Sequence, residues 1–309
     1  GNGGNTGLNV AAGTTANIAA NFASTTTGKI TNAGTINLLA GGTLNMAGGI
    51  NTNTGTINFN STGAYTGTLA GGAGSIINIG KTTKSGVLNA AATVDTTTAI
   101  AGITQFNTVT SGSVFNIKHA LTGVSGTGTD SIGLGVAAGT TVNITNTTAA
   151  SIAGTGLISN AGTIVIGANG TLNMSGGFFA YTGTIKTNST GAIIGTVTGG
   201  VGSVLNIGDT VANSLATSAT LSITGVQTIA LVTSGSQLTV ASTFPILSLD
   251  TQFTVGIGST AIISDLLSGN AATTNNGTIT HQADPLTSAG FQLSGLLTNN
   301  GTFNVSTDL

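Results

Sequence analysis

This sequence of 309 residues has very few charged side chains. Charged residues make up 4% of the chain, namely five lysines and seven aspartates, with no arginine and no glutamate. A globular domain usually has about 25%. A net charge of −2 provides no basic surface for a phosphate backbone, so we exclude nucleic acid as a partner. An uncharged surface of Thr, Ser, Asn and Gly favours self-association, because little electrostatic repulsion opposes it.

Two further absences narrow the class of protein. The chain has no cysteine, which excludes a disulfide framework and thiolate metal sites. It has no run of 18 consecutive apolar residues, so no transmembrane segment is predicted. The apolar fraction of 39% combined with low net charge is not the profile of a disordered chain. We therefore expect a folded chain.

One stretch of the chain occurs twice. Residues 31–80 align without a gap on residues 159–208, and 31 of the 50 aligned positions are identical. The motif Asn-x-Gly-Thr-Ile occurs at Asn32–Ile36, Asn160–Ile164 and Asn275–Ile279. Repetition at a fixed period indicates a repeat architecture. We predict one continuous solenoid over residues 1–309, with repeats at 7–132 and 133–253 and a partial third at 254–309; a long repeat of about 126 residues then forms about six coils.

A shorter period lies inside each long repeat. An apolar–Asn–apolar triplet recurs with its asparagines 20, 21 and 20 residues apart. Such alternation predicts a strand with one face inward, and the Gly, Asn, Ser and Thr clusters between the strands predict turns. The sequence therefore predicts an all-β fold, a parallel β-helix or β-solenoid with about 20–21 residues per coil. A barrel or sandwich ranks lower, because neither requires long, near-identical repeats.

In such a fold the apolar residues of each strand stack in columns inside the coil. The predicted core columns contain Ile36, Leu38, Leu44, Met46, Ile57, Phe59, Ile77, Ile79, Ile164, Leu172, Met174, Ile185, Leu205 and Ile207. The asparagines of the triplets point outward or form a side-chain ladder between stacked strands. The predicted ladder is Asn17, Asn37, Asn58 and Asn78.

The sequence offers little catalytic chemistry. Enzymes on a β-helix need clustered carboxylates for cation binding or acid–base work, and the best candidate pair here is Asp265 and Asp284. We interpret this pair as solvated loop residues, and we predict no catalytic, cofactor-binding or metal site and no cofactor. Phe178, Phe179 and Tyr181 form the one tight aromatic cluster, which we expect to be core with one exposed ring.

The repeated motifs resemble those of a known class. Asn-x-Gly-Thr-Ile followed by Gly42–Met46 resembles the rungs of autotransporter passenger regions and filamentous-haemagglutinin-like adhesins, and Asn60–Ala64 with Gly67–Gly72 is similar to rickettsial outer-membrane autotransporters. The resemblance covers most of the chain at the level of single rungs. It implies a right-handed β-helix outside a Gram-negative cell, used for adhesion or as a surface coat.

We therefore expect a non-enzymatic, extracellular structural or adhesive β-solenoid of a bacterial cell surface, acting as a rod or coat. Its partners would be further copies of itself, end to end or laterally, or a host-cell or matrix surface. The first alternative is a self-assembling filament or a surface-layer or sheath subunit, because the open ends of a β-helix present unpaired strand edges. The second is a polysaccharide-acting β-helix enzyme. Adhesion would favour an insertion in the coil, and the irregular region 81–107 is the candidate.

Overall fold

A computed structural model describes residues 6–24, 29–46, 50–60, 65–66, 69–127, 129–146, 149–218, 221–241, 246–249, 252–264, 267–270, 272–283 and 291–307. Within these ranges every regular element is a strand, and the strands pair in parallel sheets stacked as a β-solenoid. The predicted fold class is therefore confirmed. Each turn takes about 22 residues, slightly more than the predicted coil.

The strands of the described ranges are numbered β1 to β39 in chain order and fall into five parallel sheets. The first sheet has thirteen strands: β1 Thr6–Val10, β4 Lys29–Asn32, β7 Ile50–Asn53, β10 Leu69–Gly71, β13 Ile100–Ala101, β16 Ala120–Thr122, β19 Ala150–Gly154, β22 Gly170–Met174, β25 Ala192–Thr198, β28 Leu221–Thr224, β31 Ile246–Leu249, β34 Leu267–Gly269 and β37 Phe291–Leu293. The second has eight: β2 Thr15–Ile18, β5 Thr35–Leu38, β8 Thr56–Phe59, β11 Ile76–Ile79, β14 Gln105–Thr108, β17 Ile132–Val136, β20 Leu157–Asn160 and β23 Phe178–Tyr181.

The third sheet has ten strands: β12 Thr93–Asp95, β15 Val114–Ile117, β18 Thr141–Ile144, β21 Thr163–Ile166, β24 Thr184–Thr187, β26 Val204–Ile207, β29 Thr228–Leu231, β32 Gln252–Val255, β35 Ala272–Asn275 and β38 Leu297–Asn299. The fourth has five: β27 Ser214–Ala216, β30 Gln237–Val240, β33 Thr260–Ile263, β36 Thr278–Ala283 and β39 Thr302–Thr307. The fifth has three: β3 Asn21–Ser24, β6 Thr43–Met46 and β9 Tyr65–Thr66. A strand typically pairs with the strand three places further along the chain, so three strands make one turn.

The core of the solenoid consists of apolar columns. In the second sheet Ile36 is the register partner of Ile57, which is the partner of Ile77. The predicted core residues with described side chains are all buried, namely Ile36, Leu38, Leu44, Ile57, Phe59, Ile77, Ile79, Ile164, Leu172, Met174, Ile185, Leu205 and Ile207. The side chain of Met46 lies outside the described part of the chain. Each such burial contributes about 1.5–3 kcal/mol before the entropy cost of folding.

The asparagine of the Asn-x-Gly-Thr-Ile motif points into the solenoid, which the sequence reasoning missed. In all three copies its amide nitrogen donates to a backbone carbonyl oxygen of the following turn, from Asn32 to Thr56 at 3.2 Å, from Asn160 to Thr184 at 3.3 Å and from Asn275 to Thr302 at 2.9 Å. These asparagines are fully or almost fully buried. The amides therefore tie successive turns together at a corner of the solenoid, a different corner in each copy, and each gives a backbone carbonyl a donor.

The glycine of the motif is required by the close approach of the preceding turn. A Cβ atom at Gly34 would lie 2.3 Å from the carbonyl oxygens of Ala11 and Thr14. At Gly162 and Gly277 a Cβ atom would lie 2.4 Å from the nearest backbone oxygen. No side chain fits at these distances, so the repeated glycine is explained by steric contact between turns.

The duplicated segments lie on different sides of the solenoid. Strand β5 belongs to the second sheet, whereas its sequence equivalent β21 belongs to the third and the corresponding β36 of the third copy belongs to the fourth. The first two equivalents are sixteen strands apart, which at three strands per turn is five and one-third turns. The expectation of about six coils per long repeat was therefore wrong, and each copy is rotated by one side relative to the copy before it.

Strand β25 bends around a corner of the solenoid. Its first residues, Ala192–Ile194, pair with β22, while Gly195–Thr198 pair with β28. Gly195 has a φ of +119°, a conformation that glycine adopts far more readily than other residues. Beyond this bend β26 pairs with β24, and β27 begins the fourth sheet. A groove of about 450 Å³ lies between β25 and β27, lined by Ala192, Ile193, Ser214 and Leu215 among others.

Candidate functional site: an asparagine ladder and its strap

The predicted asparagines form a continuous hydrogen-bonded ladder on the second sheet. Each side-chain amide donates to the amide oxygen one turn earlier, at 2.8 Å from Asn37 to Asn17, from Asn58 to Asn37 and from Asn78 to Asn58. The strands position these residues because Asn alternates with inward Ile and Leu in a period of two. Asn37 and Asn58 are fully buried although they point away from the core.

The ladder has a fifth member that the sequence reasoning missed. Asn107 donates to Asn78 at 2.8 Å, although 29 residues separate them rather than the usual 20 or 21. The available signal was incomplete, because Asn107 follows the apolar Phe106 but precedes the polar Thr108 and is displaced by the insertion before it. The next position in register is Gly135, where a Cβ atom would lie 2.5 Å from Asn107 Oδ1. The side chain of Gln105 donates to Asn107 Oδ1 at 3.1 Å and so satisfies this end of the ladder.

A strap, residues 80–92, folds back over the ladder. It connects β11 to β12 and reaches two turns back, where the amide nitrogen of Thr83 donates to Asn37 Oδ1 at 3.2 Å. Asn37 Nδ2 also donates to Thr83 Oγ1 at 3.3 Å. The candidate region 81–107 therefore divides into this strap and the ordinary strands that follow it. The strap is the reason why outward-pointing asparagines are buried.

Asn60 anchors the far end of the strap. Its Nδ2 donates to the carbonyl oxygen of Leu88 at 3.0 Å, and the amide of Ala90 donates to its Oδ1 at 2.8 Å. Leu88 itself is 89% exposed. In the second copy Asn188 is the equivalent of Asn60, and it accepts hydrogen bonds from the amides of Thr210 and Val211. The strap thus presents one large apolar side chain to solvent on a backbone that is held at both ends.

A groove continues the ladder surface beyond the strap. Its volume is about 390 Å³, and its polar lining residues are Asn78, Lys81, Gln105, Asn107, Thr108 and Ser159. The lining offers amide donors and acceptors, two hydroxyl groups and one ammonium group. Such a surface can hydrogen-bond a neutral polar ligand or a backbone segment.

A second polar column runs along the third sheet. Asn143 donates to Asn116 at 2.8 Å, and Asn116 donates to Asp95 at 2.6 Å. Lys118 forms an ion pair with the same carboxylate. Burial raises the pKa of Asp95, but the hydrogen bonds from Lys118 and Asn116 and the charge of Lys118 outweigh it, so the pKa lies below the ordinary value. Further along this sheet Lys186 pairs with Asp209 at 3.1 Å.

Two members of the aromatic cluster belong to the core. Phe178 and Tyr181 are buried with ring centroids 5.2 Å apart, and the side chain of Phe179 lies outside the described part of the chain. The Tyr181 hydroxyl donates to the carbonyl oxygen of Val204 and accepts from the amide of Ile185 at 3.2 Å. Burial raises the pKa of Tyr181, and these two hydrogen bonds offset only part of the rise.

Asp265 and Asp284, the candidate carboxylate pair, lie outside the described residues. Among the residues that are described, no three metal-ligating side chains converge. Across the same part of the chain the structure contains no helix with the length and apolarity needed to cross a bilayer.

These features define the class of protein as a repeat β-solenoid with a covered asparagine ladder. Comparison of the chain with protein families, curated proteins and solved structures gave no match.

Proposed function

We propose that this chain is a non-enzymatic structural and adhesive rod of a bacterial cell surface, located outside the cell. The observation that carries the proposal is hydrogen bonding that continues from turn to turn along the solenoid axis. Thirteen strands of the first sheet hydrogen-bond in series, and the asparagine ladder adds a parallel series of side-chain bonds across five strands of the second. Such a stack resists bending and separates its ends by a defined distance, as a spacer or coat requires.

The strap and the neighbouring groove are the proposed contact region for a host-cell or matrix surface. Leu88 is exposed at the strap, and the groove beside it presents Lys81, Gln105 and Asn107. A concave surface with convergent polar groups is typical of a binding site, and we propose that Leu88 adds an apolar contact to it. Self-association is the second proposed interaction, supported by the small number of charged residues in the chain, because little charge repulsion opposes contact between copies.

The experiment that tests this proposal combines negative-stain electron microscopy with a binding assay. The full chain, fluorescently labelled, is applied to cultured epithelial cells and to wells coated with fibronectin or collagen. We expect isolated rods about 60 Å long, from thirteen strands at about 4.8 Å per strand, and saturable binding that Leu88→Ser weakens. Val201→Ser is the matched control, because Val201 is also highly exposed but lies away from the strap.

Two outcomes would overturn parts of the proposal. Long fibres of uniform width without cell or matrix binding would replace the adhesive rod by a self-assembling filament or sheath. Depolymerisation of a polysaccharide by the purified chain would contradict the non-enzymatic role.

A further inference from the structure

Lys186, Asn206 and Asp209 form a compact cluster of an amine, an amide and a carboxylate. Lys186 of β24 and Asn206 of β26 are register partners in adjacent turns, both at half-buried outward positions. The Asp209 carboxylate contacts both nitrogens, with Oδ2 3.1 Å from Lys186 Nζ and Oδ1 accepting from Asn206 Nδ2 at 3.3 Å. One carboxylate therefore holds an amine nucleophile beside an amide that can be its electrophile.

Comparison of the two copies supports a specific role for this cluster. With an offset of 128 residues, Lys186 aligns with Asn58, Asn206 with Asn78 and Asp209 with Lys81. In the first copy Asn78 donates to Asn58 as an ordinary rung of the ladder. The second copy keeps the asparagine and changes both other positions, and these two changes are the ones that introduce the amine and the carboxylate.

The cluster is also more shielded from solvent than the similar cluster of Asp95, Asn116 and Lys118 on the same sheet. The Asp209 and Lys186 side chains are 17% and 33% exposed, whereas Asp95 and Lys118 are 43% and 46% exposed. In that counterpart Asn116 and Lys118 lie two residues apart on the same stretch of chain, so a bond between them would not join two turns. We therefore restrict the inference to the cluster around Asp209.

We propose that Lys186 and Asn206 form an intramolecular isopeptide bond, with Asp209 carrying the protons. Asp209 accepts a proton from the Lys186 ammonium group, and the Nζ lone pair attacks Cγ of Asn206 to form the new C–N bond. The Cγ–Nδ2 bond then breaks. In total, two protons pass from Nζ to the departing nitrogen through Asp209: the one first taken from the ammonium group and one released after the attack. The products are an amide and one ammonium ion, and Asp209 returns to its carboxylate form.

The reaction needs no oxidant or added reactant. Holding an amine and an amide side by side on one carboxylate replaces a bimolecular encounter, and well-oriented pairs reach effective molarities of about 10⁵–10⁸ M. Proton transfer by a positioned carboxylate adds general acid–base catalysis. The product would covalently join β24 to β26, which are neighbours in the third sheet and precede and follow the bent strand β25 in the chain.

The test uses mass spectrometry of the full chain. We expect the intact mass to fall short of the sequence mass by one ammonia. Trypsin cleaves this chain only after its five lysines, since it has no arginine. In the denatured protein an acylated Lys186 blocks cleavage after residue 186. Residues 119–309 are therefore recovered as one peptide with an internal cross-link. Lys186→Arg keeps the positive charge beside Asp209 and should restore both the full mass and cleavage after residue 186.

Further variants distinguish formation of this bond from other reactions that release ammonia. Asp209→Asn, checked for native circular dichroism, should show the full mass, whereas Lys118→Arg should keep the deficit. A succinimide at Asn169-Gly170 also loses ammonia, but its deficit would persist in Lys186→Arg and would overturn the assignment. The proposal also fails if the wild-type chain has its full mass and is cleaved after Lys186.

Discussion

At the residue scale, asparagine has three structural roles that depend on its position in the strand and turn. Asn58 points outward and forms a rung of the ladder, Asn32 points inward and bonds the backbone of the next turn, and Asn60 lies after a strand and holds the strap. The side chain is suited to all three because one amide supplies both donors and an acceptor. Each role places an amide where a buried polar group needs a partner.

The ladder predicts unequal costs for two asparagine substitutions. Asn58→Ala removes a fully buried rung that donates to Asn37 and accepts from Asn78, so we expect the free energy of unfolding to fall by about 1–3 kcal/mol. Asn17→Ala is the matched control, because Asn17 is exposed and accepts only the bond from Asn37. The urea midpoints of both variants measure the difference, and equal shifts would contradict a cooperative ladder.

Tyr181 predicts a loss of stability at alkaline pH. Its folded-state pKa is raised, so the folded protein keeps the hydroxyl neutral while the unfolded chain ionises above about pH 10. The free energy of unfolding therefore falls as the pH rises beyond that value. In Tyr65→Phe, which leaves Tyr181 as the one tyrosine of the chain, we expect phenolate absorbance to appear together with unfolding measured by circular dichroism. Reversible ionisation in the folded protein would refute this.

At the element scale, the strands follow directly from local sequence and the strap does not. Alternation of apolar and polar residues identifies β5, β8 and β11 with their inward columns, and the glycine clusters identify the turns. The region 81–107 is irregular in sequence, but nothing in its residues indicates that Thr83 bonds Asn37, 46 residues earlier. That contact depends on the turns being stacked first, because stacking brings distant residues within reach.

The strap predicts a local change in hydrogen exchange. Asn60→Ala removes the two hydrogen bonds that hold Leu88 and Ala90, so we expect exchange of the strap amides to accelerate about tenfold, equivalent to about 1.4 kcal/mol. Asn188→Ala is the matched control, since Asn188 holds Thr210 and Val211 instead. Hydrogen–deuterium exchange with peptide resolution measures both, and an unchanged strap in Asn60→Ala would show that other contacts hold it.

At the scale of the whole molecule, successive copies are related by a rotation about the solenoid axis as well as a translation along it. Equivalent strands of successive copies lie in the second, third and fourth sheets, so any surface feature of one copy recurs on a different side of the rod. The ladder and the cluster around Asp209 are equivalent in sequence, yet they occupy the second and third sheets. A ligand that contacts one side of the rod therefore does not contact the equivalent residues of the other copies.

The sequence by itself determined the parallel solenoid, the buried columns and the outward, regularly spaced positions of Asn37, Asn58 and Asn78, because each depends on alternation and turn residues within about twenty positions. The structure decided that these asparagines bond to one another. The tertiary structure decided which side each repeat occupies, how far the strap reaches and which side chains surround Lys186. The physical reason is that differences in turn length add up along the stack. Turns range from the 18 residues between Thr260 and Thr278 to the 31 between Ala70 and Ala101, and the bend at Gly195 adds its own displacement. Contacts between distant turns depend on the sum of these differences, which no local pattern contains.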